Sequence, residues 1–342
     1  MLSELVETTA WLVGIPSPTG KEAAIRDAIA SRLSGHPQDL IDDSLLVGEM
    51  APGKVLLVGH LDTVPLQGDV GSRLLDGRLF GLGATDMKSG LAVMIHLIEA
   101  FGTDGLVGVF YAGEEGPISG NQLAAILDRV PALSEARAGI VLEPTTRELQ
   151  AGCNGVINAR ASFLGEPAHS ARPWLGVNAV TMAGGFLSMM DERQPDPHQV
   201  SGLEFREVIS VTRAQGGIAN NVVPGRFDLN INYRFAPDRS LEEAIAVLTA
   251  VCSSADELEV TDAAPAATPD VEHELFVRLA AAAGANITPK QGWTDVAQLS
   301  ARGVPAVNFG PGETDLAHKP GESVRVDDLE WAYTALSQVF AG

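Results

Sequence analysis

The sequence predicts an α/β protein whose mainly parallel sheet, with helices on both faces, is interrupted by an inserted α+β domain. Short continuous apolar runs, such as Val55-Leu56-Leu57-Val58, alternate with helically spaced segments up to residue 152 and again after residue 264. That is the pattern of buried parallel strands joined by helices. Between residues 153 and 264 the strands instead alternate apolar and polar residues, as in GVINARASFLG and RFDLNINYRFAP, which marks a sheet with one exposed face. The chain has 342 residues, more than one core usually organises. Two domains are therefore expected, one of residues 1–152 with 265–342 and one of residues 153–264.

Taken in order, Leu2, Leu5, Val6 and Leu12 have helical spacing over residues 2–14. Thr19-Gly20-Lys21-Glu22 has the form of a capping box ahead of a second amphipathic helix reaching about Leu33. KVLLVGH then reads as strand, MKSGLAVMIHLIEAF as helix, LVGVFYAGEE as strand, NQLAAIL as a short helix and AGIVLEP as strand. In the inserted domain, GVINARASFLG is a strand and a helix follows over 178–191. EVISVTRAQG and RFDLNINYRFAP are strands, SLEEAIAVLTAVC is a helix and ELEVTDA a last strand, giving the order βαββαβ. After the APAATPD link, helices near 273–283, 294–302 and 326–340 flank the strand PAVNFG.

Composition narrows the function. The formal net charge of −21 argues against nucleic acid, which requires clustered Lys and Arg to displace counterions, and against anionic membrane surfaces. A small anionic substrate stays compatible, because a metal and a few arginines can dominate the local field. MLSELVETTAWL is acidic where a secretory signal is basic, and no apolar run reaches membrane-spanning length, so the cytoplasm is the expected compartment. Cys153 and Cys252 lack zinc-binding spacing and read as reduced buried thiols.

The chemistry gathers at predicted strand ends, where open α/β sheets bind ligands. GHLDTVP, residues 59–65, places His60 at the end of one strand. Asp62, two residues on, can accept the spare imidazole N–H and leave the other nitrogen free for a metal. Glu114 and Glu115 end a second strand and Glu143 a third. Asp86 lies in the glycine-flanked turn GATDMKSG, and His318 in the loop GETDLAHKPGE after PAVNFG. One bridging carboxylate, two histidines and two further carboxylates would give each of two zinc ions three protein ligands, with a shared water completing an open four-coordinate site. Asp86 is the expected bridge, with His60 and Glu143 on one ion and Glu115 and His318 on the other. Cobalt or manganese can substitute, since such ligands do not select sharply. Glu114 is left over beside a ligand, placed to take a proton from water whose pKa falls from about 15.7 towards ~7 and to pass it to a leaving amine. An isolated Glu-Glu pair is ordinarily a solvated turn, but its place after VGVFYAG reverses that preference.

GHLDTVP, GATDMKSG, AGEEG, LEPT and the late His318 resemble, in order and spacing, the dinuclear-zinc aminoacylase/carboxypeptidase family of metallohydrolases. The resemblance runs from VGIPSPTG to the terminal helix. It implies a zinc-exopeptidase-like catalytic domain and a ferredoxin-like lid and dimerisation domain. It also implies that His60, Asp86, Glu115, Glu143 and His318 bind two zinc ions, that Glu114 is the general base and that Asp62 supports His60. Within the family, GCNGVIN, AHSARPWLGVNAV, INYRFAPDRS, GWTDV and GVPAVNFGPGETDLAH resemble members that hydrolyse a small, multiply anionic N-acyl amino acid.

By the same match, His169 stabilises the oxyanion, and Asn220, Asn221, Arg234 and Thr294 bind substrate. Arg172 stands where some members have tyrosine, and an arginine there could pair with a carboxylate. Family members dimerise through the inserted domain, so a homodimer is expected in which His169 completes the partner's site. A sister deacylase would keep every ligand and alter only the acyl pocket. An inert scaffold on the same fold would have no need of Glu114. His36, His198 and His273 lie in polar stretches and are expected to be exposed, and His96 packed on its helix. Trp174 and Trp293 could line the pocket or serve packing.

Overall fold

Val55–His60 is the strand around which the main sheet is built, with Leu106–Tyr111 on one side and Ala138–Pro144 on the other, both parallel to it. All three are buried along their whole length, which is why they read as unbroken apolar runs. The computed structural model describes residues 1–65 and 71–341. Across the sheet the order is Gln38–Ile41, Ser44–Val47, Leu106–Tyr111, Val55–His60, Ala138–Pro144, Ala306–Gly310, Leu149–Ala151, Ile287–Pro289. Lys88–Phe101 packs on the three central strands and against the helices Leu2–Val13 and Val326–Ala341. Its residues from Lys88 to Ile98 are all buried, and each large apolar side chain so covered contributes roughly 1.5–3 kcal/mol.

The chain divides into two units. One comprises Met1–Gly152, Pro269–Pro289 and Asp295–Gly342, the other Cys153–Thr268 and Lys290–Thr294. Residues 265–268 and the short segment 290–294 thus fall in the second unit and not, as expected, in the first. Hydrogen bonds explain the placement of 290–294: Asn154 N–H donates to the Lys290 carbonyl at 3.2 Å, and Arg206 N–H to the Gln291 side chain at 3.0 Å. The second unit is an antiparallel sheet in the order Asp196–Val200, Leu203–Gly216, Arg226–Phe235, Gly155–Leu164, Glu257–Ala264. Its core includes Phe163, Phe186, Leu229, Tyr233 and Leu248.

Several local expectations need correction. The strand Asp196–Val200 adds a member to the expected βαββαβ order. It lies at the sheet edge, where Pro197 is tolerated, and turns into its neighbour through Ser201 and Gly202, both at positive φ. The helix over 178–191 is two pieces, Ala179–Met182 and Gly184–Glu192. The expected capping box does not form. Glu22 is itself the cap of the helix Ala23–Arg32, and the Thr19 hydroxyl is drawn away to the Asp62 carboxylate at 2.9 Å. A small sheet of Arg73–Leu75, Arg78–Phe80 and Ser323–Arg325 was not expected, although its Asp76-Gly77 hairpin turn is visible in the sequence.

Candidate metal centre

His60 is the last residue of its strand, and its ring is held from both ends. Nδ1 faces the Asp62 carbonyl at 2.9 Å, whereas the Asp62 carboxylate is 3.6 Å away. The imidazole is thus oriented by the backbone oxygen more closely than by the expected side chain. The Asp62 carboxylate is occupied elsewhere: it accepts from the N–H groups of Gly113, Glu114 and Glu115 at 3.1, 3.0 and 3.0 Å. Those bonds fix the turn after Leu106–Tyr111, which only a glycine at 113 permits, because a Cβ there would sit 2.3 Å from the Gly120 carbonyl at a φ of +83°.

Nε2 of His60 points at Asp86 Oδ1 (3.0 Å), with Glu143 Oε1 at 3.6 Å. Asp86 Oδ2 lies 3.3 Å from Nε2 of His318, which is also 2.9 Å from Glu115 Oε1. One aspartate therefore stands between two histidines, one oxygen to each, and each histidine has a second carboxylate beside it. His60, Asp86 and Glu115 bring their ligand atoms within 4.8 Å of one another. The donor set of imidazole nitrogens and carboxylate oxygens suits a divalent cation, and the ion pairs of Asp86 and Glu115 among the described residues are to the two histidines. A cavity of about 450 Å³ adjoins His318, bounded by Val64, Arg73, Phe80, Leu82 and Lys319.

The electrostatics follow from crowding. Hydrogen bonds to Asp86 and Glu115 push the His318 pKa up to about 10. Burial opposes charge on His60, but Asp62 and Asp86 outweigh it and raise its pKa. Burial would likewise raise Asp86, yet its two histidines hold it well below the usual carboxylate range. The carboxylates that hold protons on these rings are placed to hold a metal against the same lone pairs. Glu114 differs. Burial, then the negative charges of Glu143, Asp295 and Asp86, push its pKa up against the pull of His60.

The other expected residues lie in the second unit. His169 is exposed in a two-residue strand paired with Val222–Val223. Its loop meets Asn221, whose carbonyl accepts Ser170 N–H at 2.9 Å, and Arg172 N–H donates to the His169 carbonyl at 2.7 Å. Asn220 is exposed nearby in sequence. Arg234 is half-buried in its strand, where burial lowers its pKa. Thr294 is buried, and among the described residues its hydroxyl has no hydrogen-bond partner. The two cysteines are free and buried, as expected. His198 is not exposed as expected but boxed by carboxylates, and Trp174 is an exposed surface residue.

The residues that sequence reasoning missed act from behind. Asp295 is buried and accepts from the Tyr111 hydroxyl and from Asn121 Nδ2 at 2.9 Å; burial lifts its pKa to about 6 against those bonds. Its signal was its place beside Thr294 in GWTDV. Glu322, in the same AHKPGE stretch as His318, was also passed over.

Comparisons with known proteins agree with this geometry. Residues 56–341 match the sequence pattern of Peptidase family M20/M25/M40. A Mycobacterium tuberculosis protein assigned as a succinyl-diaminopimelate desuccinylase is 39% identical, over 98% of each chain. The succinyl-diaminopimelate desuccinylase of Corynebacterium glutamicum is 35% identical, over 99% of this chain and 96% of its own. In structure, a Staphylococcus aureus tripeptidase superposes with a TM-score of 0.81, covering 99% of this chain and 98% of that one at 22% identity, a likeness of fold.

Proposed function

The chain belongs to the peptidase family M20/M25/M40, and we propose that it hydrolyses the amide bond of N-succinyl-LL-2,6-diaminopimelate, giving succinate and LL-2,6-diaminopimelate. The chemistry rests on one observation: Asp86 offers one carboxylate oxygen to each of two histidines. The substrate rests on the whole-length similarity to the mycobacterial and corynebacterial proteins.

His60, Asp86 and Glu143 would hold one zinc ion, and Asp86, Glu115 and His318 the other. Bound there, a metal would supply Lewis-acid polarisation of the scissile carbonyl and would lower the pKa of water from about 15.7 towards ~7. Glu114 takes the proton of the attacking water and delivers it to the leaving amine. Asp62 holds the Glu114-Glu115 turn in place. His169 stabilises the charge developing on the carbonyl oxygen. Arg172, Arg234, Asn220, Asn221 and Thr294 bind the carboxylates and polar groups of the substrate, guanidinium against carboxylate being the strongest of these pairings.

The finer assembly is a homodimer through the inserted domain, with His169 serving the partner's site. Mixing Glu114→Ala with His169→Ala subunits tests it: recovery of part of the activity supports catalysis across the interface, and no recovery despite subunit exchange rejects it. The substrate is tested by turnover of a panel of N-acyl amino acids. N-succinyl-LL-diaminopimelate should exceed N-acetylornithine by about 10²-fold or more, since a site built around an absent carboxylate is left with unpaired polar groups. Faster turnover of acetylornithine would overturn the substrate and leave the metal chemistry standing.

A further inference from the structure

We propose that Glu322 is a positioning residue of the metal centre, a buried carboxylate that locks the loop carrying Asp86 to the loop carrying His318. The inference rests on the metal-centre reading above and adds to it a residue that touches neither metal nor substrate.

Glu322 is 5% exposed, yet both its oxygens are satisfied. Oε2 accepts from Gly83 N–H at 3.0 Å, and Oε1 from Thr85 and Asp86 N–H at 3.0 and 3.1 Å. The last of these donors belongs to the bridging aspartate itself. Glu322 lies four residues after His318, and the main chain between them is also pinned: Glu322 N–H donates to the Lys319 carbonyl, and Gly81 N–H to the Glu322 carbonyl, both at 3.1 Å. Beyond it, Ser323–Arg325 pairs with Arg78–Phe80, and before it Glu313 N–H donates to Thr85 Oγ1 at 3.2 Å. The two loops are therefore laced together on both sides of His318. Gly83 adopts a φ of +78°, and a Cβ there would come within 2.8 Å of Thr63 Cγ2. The buried Lys88, whose Nζ donates to the Ile15 carbonyl at 2.7 Å, feels the charge of Glu322 without forming an ion pair with it among the described residues.

Three N–H donors converging on one carboxylate cannot be served by an amide, whose NH₂ would face another donor. Asp62 does the same for the turn of Glu114 and Glu115. A carboxylate placed between two histidines would tolerate little drift as a shared ligand, so loosening this loop should weaken metal binding before anything else.

The test compares wild-type protein with Glu322→Gln and with Glu322→Asp, which keeps the charge on a shorter arm. Zinc and cobalt binding are measured by equilibrium dialysis, cobalt coordination by visible absorption, and thermal unfolding in chelator. Glu322→Gln should bind metal about 10–100-fold more weakly, alter the cobalt spectrum, and regain turnover in excess metal with KM little changed. Glu322→Asp should fall between, and it carries the same readouts if the glutamine variant does not fold. Wild-type affinity and an unaltered cobalt spectrum in both variants, whatever their melting temperatures, would overturn the positioning role alone. Absence of metal binding by the wild-type protein would instead overturn the metal-centre reading on which it rests.

Discussion

Each unit of the chain contains a histidine among carboxylates, and the two clusters differ in how much of their bonding capacity is already used. In the first, Asp86 sits between His60 and His318, and its carboxylate meets the two imidazoles. In the second, His198 lies among Asp238 at 2.9 Å and Asp196 and Glu207 at 3.6 Å. There, however, Glu207 accepts from Arg239 Nε at 2.7 Å, the Tyr233 hydroxyl at 2.9 Å and Ala236 N–H at 3.0 Å. An arginine neutralises what a metal would have to neutralise, and three donors occupy the lone pairs it would need. Both sets of ligand atoms fall within metal-binding reach of one another. Proximity therefore does not separate a metal centre from a structural ion-pair network. The donors already bound do.

The comparison breaks most visibly at Glu114. Glu114→Gln should lower turnover by about 10²–10⁴-fold while metal content stays unchanged, because an amide cannot take the proton but keeps the shape. Metal analysis beside steady-state rates checks this; near-normal activity would move the base elsewhere.

Metal itself should distinguish the clusters. Adding zinc to metal-depleted protein at 100 times its dissociation constant should raise stability by about 2.7 kcal/mol for each site filled. Hydrogen exchange should show the added protection at the strand ends around His60 and Glu143, with no protection at Asp196–Val200. Protection at the second cluster would show that Arg239 does not exclude a cation.

Glu207→Gln addresses the second cluster directly. It leaves a partly buried guanidinium short of its charge partner and should lower stability by about 1–3 kcal/mol in denaturant titration, with zinc content unaltered.

The smallest effect is a pH dependence. Burial lowers the His198 pKa, but the bond to Asp238 and the charges of Glu207, Asp238 and Asp196 outweigh it and raise it. A folded-state value above the unfolded ~6.5 means that this histidine's stabilisation is fully present below that pH and fades as pH rises through the raised value. His198→Gln should therefore flatten stability against pH from about pH 6 upward, as measured by thermal unfolding of the metal-free protein. An unchanged slope would remove His198 from the account.

The sequence by itself determined the alternating strands and helices of the first unit, because fully buried strands must be continuously apolar and the helices between them amphipathic or buried. It also made the candidate ligands His60, Asp86, Glu115, Glu143 and His318 and the candidate base Glu114 legible, since they stand at strand ends or in glycine-marked turns whose local chemistry is distinctive. Only the tertiary structure decided what those residues lean on. Asp62 looked like a partner for the His60 ring, but the carboxylate meets three N–H groups some fifty residues away. Glu322 looked like loop polarity, but its partners lie more than 230 residues back. The cap expected of Thr19 was lost to Asp62, and His198 was enclosed by carboxylates from separate strands and loops. The physical reason is the same in each case. A side chain's intrinsic chemistry is local, whereas the donor that claims a carboxylate's lone pairs is set by which backbone groups the fold leaves unpaired beside it.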